Sequence, residues 1–306
     1  MKNFLGLILL LPLVALSDES LYPIEISYGS YEKQRIDFYK GSSDKVLIWI
    51  HGGGWLFGDK RSERWIKRFH NHFIEHEDLN VYMIGYRTGE ETAPKAVDDV
   101  ICAYKKIVDD ATLRNLSVND VVVAGASAGG HLALMVGFSN NYNLDNACKA
   151  STLPKAVINL FGITDLEENS NFLDENKFFS ASNYIKTWLP EKLDLENMSK
   201  KLSPIYLVGS NPPRVLTIHG TNDSWVPYDQ AIRLDKILKD KHQLLTIKND
   251  DFISDNINYN PIQTNKSTAH NPTTYPTYNN IKKITTKHTK LDYFILKTLN
   301  DNLNLI

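Results

Sequence analysis

Residues 46–50, 81–84, 121–124, 156–160 and 215–218 form five short apolar runs in which polar residues do not alternate. A strand with one wet face alternates, whereas a strand covered on both faces reads as an unbroken apolar run, so these segments are expected to be central parallel strands. Amphipathic stretches separate them. The clearest is 96–111, where Val97, Val100, Ile101, Tyr104, Ile107 and Val108 recur at helical spacing, with Pro94 near its start, where a missing N–H costs little. Strand and helix alternating over this length imply an α/β fold: a mostly parallel central sheet with right-handed crossovers and helices on both faces.

The flanks read differently. Residues 24–39 alternate loosely around Gly29 and Ser30, the pattern of an antiparallel hairpin at a sheet edge. Residues 163–203 are rich in Asn, Glu, Phe and Trp without a long periodic stretch, and are expected to form a small cap inserted between strands. Residues 244–247 make the last strand, and 249–286 are an atypical insertion or divergent tail dominated by Asn, Thr, Tyr and Ile. Helical spacing returns at 291–303. No linker divides the chain before about residue 248, so residues 18–306 are expected to be one domain.

Residues 1–17 stand apart as a signal peptide: Lys2, an apolar run over 4–16, and small residues Ala15 and Ser17 at the cleavage point. The run is shorter than the roughly 20 residues of a membrane-spanning helix, which argues for secreted or periplasmic protein without a stable membrane anchor. With 34 basic and 36 acidic residues the chain has no basic field for a phosphate backbone, so nucleic acid is not an expected partner. Its two cysteines, Cys102 and Cys148, are too few for a disulfide framework or a zinc site and read as small buried hydrophobes, a single bridge being the alternative.

The chemistry concentrates at two turns. Residues 121–124 run into Gly125-Ala126-Ser127-Ala128-Gly129 and then into an apolar helix-like stretch. That is the context of a nucleophile elbow, in which a sharp strand-to-helix turn lifts the Ser127 hydroxyl above the sheet and the helix N-terminus supplies aligned amides. His51-Gly52-Gly53-Gly54-Trp55 follows the strand 46–50, and its glycines let backbone N–H groups point into one cavity. A nucleophilic serine also needs a base and a carboxylate to orient it. Asp223, in His219-Gly220-Thr221-Asn222-Asp223 just past another apolar strand, fits the chain order Ser, Asp, His. A helix N-cap role for Asp223 and a rival acid, Asp165, are the alternatives.

Residues 45–248 resemble an α/β-hydrolase of the HGGG esterase group, which includes hormone-sensitive-lipase-like carboxylesterases, arylformamidases and feruloyl or acetyl esterases. The likeness rests on His51 to Trp55 continuing to Gly58-Asp59-Lys60, on Ser127 to His131, and on Pro212-Pro213 before His219 to Asp223 and Val226-Pro227. The resemblance implies Ser127 as nucleophile, Asp223 as acid, and the Gly53, Gly54 and Ala128 amides as the oxyanion hole, with His51, His131 and His219 as scaffold. The α/β-hydrolase fold and cleavage of a small-molecule carboxylic ester follow from it as expectations. No cofactor or metal is implied.

The chain departs from the group at the histidine, which usually stands in a glycine-containing turn after the last strand. Here 249–252 hold neither glycine nor histidine, and Gly220 is the final glycine. His242 precedes the last strand, the wrong end. His270 lies in a Pro-, Thr- and Asn-rich stretch, and His288 precedes the terminal helix, where the group's histidine usually stands. His288 is therefore the assigned base, with His270 or no histidine as alternatives. The expected function is a secreted serine esterase. An arylformamidase, favoured by Gly58-Asp59-Lys60, and a binding protein that has lost catalysis are the competing readings. Weaker signals are His72 and His76, four apart but read as a solvated helix face, and the sequons at Asn115, Asn197, Asn222 and Asn265. Trp55, Phe57, Phe172, Phe178, Phe179 and Trp188 are pocket or core aromatics.

Overall fold

The computed structural model describes residues 22–62, 79–144, 146–176, 183–190 and 195–247. The signal peptide, His72 and His76, Phe178 and Phe179, the segment 249–286, His270, His288 and the terminal helix all lie outside the described residues.

Among the described residues eight strands form one sheet in the order β1-β2-β4-β3-β5-β6-β7-β8. They are β1 (Ile24–Ser27), β2 (Arg35–Tyr39), β3 (Val46–Ile50), β4 (Asn80–Ile84), β5 (Val122–Ala126), β6 (Ala156–Leu160), β7 (Arg214–Gly220) and β8 (His242–Ile247). Only β1–β2 and β2–β4 pair antiparallel, which places the expected hairpin at the edge. The other pairs are parallel, from Leu47 opposite Val122 through Val215 opposite His242. Every residue of β3, β4, β5 and β6 is buried, the physical reason these strands read as unbroken apolar runs.

Six α-helices are described: α1 (Lys95–Leu113), α2 (Ala128–Gly137), α3 (Leu166–Glu175), α4 (Tyr184–Trp188), α5 (Leu195–Leu202) and α6 (Asp229–Leu238). On α1 the apolar stripe Val97, Val100, Ile101, Tyr104, Ile107 and Val108 is buried against Ile48, Ile50 and Val123. Helix α2 is buried all round, as its continuous apolar sequence requires. On the opposite sheet face Leu47, Trp49, Val81, Met83, Val122, Ala124 and Ile158 make a second buried cluster, so both faces are covered. The segment 163–203, which showed no long period, builds three short helices, α3 to α5, between β6 and β7.

One cysteine expectation is corrected. Cys102 and Cys148 are not two separate buried thiols; they are bonded to each other and tie α1 to the turn that follows α2, across 46 residues of sequence.

Topology places the chemistry. From β3 the chain crosses to β4 on one side, whereas β5 leads to β6 on the other, so the loops leaving the carboxyl ends of β3 and β5 diverge. In open α/β sheets this switch point opens a crevice where ligands bind.

Candidate active site

At the end of β5 the chain turns through Ser127 into α2. Ser127 has φ 55° and ψ −124°, a positive φ that L-residues seldom adopt. Its N–H donates to the Leu160 carbonyl (2.9 Å), and its own carbonyl accepts from the His131 N–H (3.0 Å), so the turn is pinned from both sides. Helix and strand approach so closely that a Cβ on Gly129 would stand 2.2 Å from the Ile50 carbonyl oxygen, which explains glycine there. Ala128 is the first residue of α2, so its N–H has no partner within the helix and belongs to the positive end of the helix dipole.

The glycine loop after β3 lies directly against this elbow: a Cβ on Gly52 would meet the Ser127 Cβ at 3.4 Å. Gly53 (φ 124°) and Gly54 (φ 58°) both use the left-handed region, and Trp55 follows at φ 60°. The Gly53 carbonyl is turned away to accept the Leu56 and Phe57 N–H groups (3.1 and 3.2 Å). Beyond the loop, Lys60 is buried and pairs with Asp37 (3.0 Å), which also takes the Arg61 guanidinium (2.6 Å). The Gly58-Asp59-Lys60 continuation is therefore an anchor to β2.

The three histidines read as scaffold behave as such. His51 bonds the Gly52 carbonyl through Nδ1 (2.7 Å) and stacks on Tyr86, whose hydroxyl donates to the His51 carbonyl (2.8 Å). His131 is enclosed by Trp55 and the Leu202 carbonyl. Burial lowers both imidazoles to about 4. His219, on β7, donates from Nε2 to the Val226 carbonyl (2.9 Å) and lies 3.4 Å from Asp223 Oδ2, while its Nδ1 is buried without a hydrogen-bond partner among the described residues.

Asp223 is buried in the turn after β7, where Oδ1 accepts the N–H groups of Trp225 (2.9 Å) and Val226 (3.0 Å). This is an Asx-type turn of its own loop. Helix α6 begins only at Asp229 behind Tyr228, so Asp223 is not its N-cap. Asp165, the rival acid, caps α3 by accepting the Glu168 N–H (3.3 Å) and holds Tyr206 Oη and Arg233 (2.9 Å each). Those partners occupy it structurally. His242 opens β8 opposite Val215, at the far end of the sheet from the elbow, and bonds Asp235 and Thr217 (2.8 Å each).

Sequence reasoning passed over three residues at this edge. Trp55 and Trp188 prove to be fully buried core, stacked at 4.3 Å, whereas Tyr184, Asn169 and Trp225 stand beside the glycine and acid loops. The available signal was the four-residue spacing of Tyr184 and Trp188, which sets both on one helix face.

The family model BD-FAE matches residues 36–238. Among curated proteins, the chain is 26% identical over 220 residues to "Esterase LipC" of Mycobacterium tuberculosis, covering 67% of this chain and 52% of that protein. It is 25% identical over 236 residues to "Kynurenine formamidase" of Scheffersomyces stipitis, covering 75% and 81%. The chain spans about half the length of the mycobacterial relatives it matches. Among solved structures, Esterase B from Lactobacillus rhamnosis superposes with a TM-score of 0.65 at 19% identity, over 92% of this chain and 86% of that one. A truncated carbohydrate esterase from gut microbiota superposes at 0.59 and 21% identity, over 75% and 89%. These likenesses establish the α/β-hydrolase fold.

Proposed function

The chain belongs to the BD-FAE family, and from that premise we propose that it is a serine hydrolase cleaving small carboxylic esters through an acyl-enzyme. The observation that carries this reading is Ser127 held at positive φ on the N-terminus of α2, with the Gly52–Gly54 loop packed against it. Ser127 Oγ attacks the substrate carbonyl. The Gly53, Gly54 and Ala128 amides hold the oxyanion of the tetrahedral intermediate, in a site whose dipoles are already oriented and need no reorganisation. The base takes the serine proton and returns it to the leaving alcohol; Asp223 orients that base, and water then releases the acid. His288 is the base in this proposal.

The likeness to the mycobacterial esterases LipC and LipQ supports ester hydrolysis. A formamidase reading has one specific support, the kynurenine formamidase match that spans 81% of that protein. Its amide would use the same nucleophile and oxyanion hole. Secretion is part of the proposal: the apolar run at 4–16 is joined by the Cys102–Cys148 bridge, a bond that persists in oxidising compartments. Among the described residues no helix is long and apolar enough to cross a membrane. Processed protein is expected to begin at Asp18.

The test is hydrolysis of p-nitrophenyl acetate and of N-formylkynurenine by the full chain and by Ser127→Ala. Ester turnover lost in Ser127→Ala supports the proposal; equal rates in the two proteins overturn it. Turnover confined to the formamide selects the second reading.

A further inference from the structure

Tyr184 stands between the two loops that carry the proposed machinery. It opens α4, four residues before Trp188, whose ring stacks on Trp55 and so fixes this helix against the glycine loop. At one end, Tyr184 Cβ, Cγ and Cδ2 each lie 3.4 Å from where a Cβ on Gly54 would stand. At the other, its hydroxyl donates to the Trp225 carbonyl (3.3 Å) and accepts from Asn169 Nδ2 (3.0 Å). Asn169 is fully buried, and its Nδ2 also donates to the Trp225 carbonyl (3.2 Å). Reversing that amide would set two oxygens against each other, so its orientation is fixed.

Trp225 is tied in turn to Asp223, whose Oδ1 accepts the Trp225 N–H. Burial first, then the Asp223 carboxylate, push the Tyr184 hydroxyl well above the ordinary phenol range, as expected for a ring close to the acid. The phenol ring therefore runs from the Gly54 backbone to the loop of the acid.

In acyl transfer the carbonyl oxygen turns towards the oxyanion amides, and the leaving oxygen turns towards the base that the acid orients. Tyr184 lies between the loops that would receive those two oxygens. We propose that Tyr184 is a specificity-determining residue that bounds the leaving-group side of the site and excludes bulky alcohols. This rests on the esterase reading.

The experiment compares kcat/KM on two ester series in the full chain, Tyr184→Ala, Tyr184→Phe and Tyr184→Trp. One series varies the alcohol (ethyl, benzyl and naphthyl acetate); the other varies the acid (ethyl acetate, butyrate and octanoate). Tyr184→Ala is expected to raise the naphthyl-to-ethyl acetate ratio about tenfold, and Tyr184→Trp to lower it about fivefold. Tyr184→Phe, which keeps the ring, is expected to hold the ratio within about twofold. The octanoate-to-acetate ratio is expected to stay within about twofold in all three. An unmoved alcohol ratio, or an acyl ratio that moves as far, overturns the proposal. Should Tyr184→Ala not fold, the Tyr184→Trp ratio decides. A wild-type chain that hydrolyses none of these esters overturns the esterase reading first, and this assignment with it; an active wild type with unshifted variants overturns only the assignment.

Discussion

The Trp55 indole N–H donates to His131 Nδ1 across 3.2 Å, while His131 Nε2 meets the Leu202 carbonyl at 2.7 Å. With Nδ1 accepting and Nε2 donating, the ring is neutral and its tautomer is fixed. One imidazole thereby joins the loop after β3, helix α2 and the end of α5.

That neutrality makes the fold pH-sensitive. Burial lowers His131 and His51 to about 4, against an ordinary value near 6.5. Between those values the unfolded chain binds more protons than the folded one, so stability rises with pH and is lost as pH falls from about 6.5 towards 4. Each buried neutral histidine costs roughly 1.4 kcal/mol of stability per unit of pKa separation once the pH has fallen below both values. Urea midpoints should fall steeply between pH 7 and pH 5, and His131→Asn should flatten that slope while lowering the midpoint at pH 7. A midpoint independent of pH in this window contradicts the buried neutral pair.

Trp188 is fully buried and stacks on Trp55 with ring planes 14° apart. Trp188→Ala should destabilise the protein by about 3–5 kcal/mol. It should also slow ester turnover at temperatures where the variant remains folded, because the stack holds the loop that carries Gly53 and Gly54. Thermal unfolding and kcat measured on one preparation check both effects.

Asp165 and Asp223, both buried, should respond differently. Asp165→Asn replaces the carboxylate that Tyr206 and Arg233 share with an amide, leaving Arg233 near Glu168 (3.7 Å), and is expected to cost about 1–3 kcal/mol while sparing kcat in the folded protein. Asp223→Asn leaves Oδ1 free to accept the same backbone N–H groups, so the turn survives, yet kcat should fall by roughly three to four orders of magnitude. The opposite pattern would make Asp165 the acid.

Reduction of Cys102–Cys148 opens a closure of 46 residues and is expected to lower stability by about 2–4 kcal/mol. A reductant should therefore lower the unfolding temperature of the wild type by roughly 5–10 °C and leave Cys102→Ser/Cys148→Ser unmoved.

Much of this arrangement was legible in the sequence where one local pattern determines one structure. Strands β3 to β6 read clearly because each is buried on both faces, and α1 because its stripe faces a single core. Helices α3, α4 and α5 did not, since runs of 10, 5 and 8 residues owe their stability to tertiary contacts such as Trp188 on Trp55, which carry no period. The disulfide was hidden for a related reason: spacing alone does not say that the turn after α2 docks on α1. At the site, Ser127 and the glycines were readable because their backbone demands a residue type, whereas Tyr184 matters only through what it touches.

The most direct measurement is fluorophosphonate labelling of the full chain, with the modified peptide identified by mass spectrometry. Stoichiometric adduct on Ser127, abolished by Ser127→Ala and greatly slowed by Asp223→Asn and His288→Ala, is the expected result. A folded protein that takes no label on Ser127 would contradict the serine-hydrolase reading.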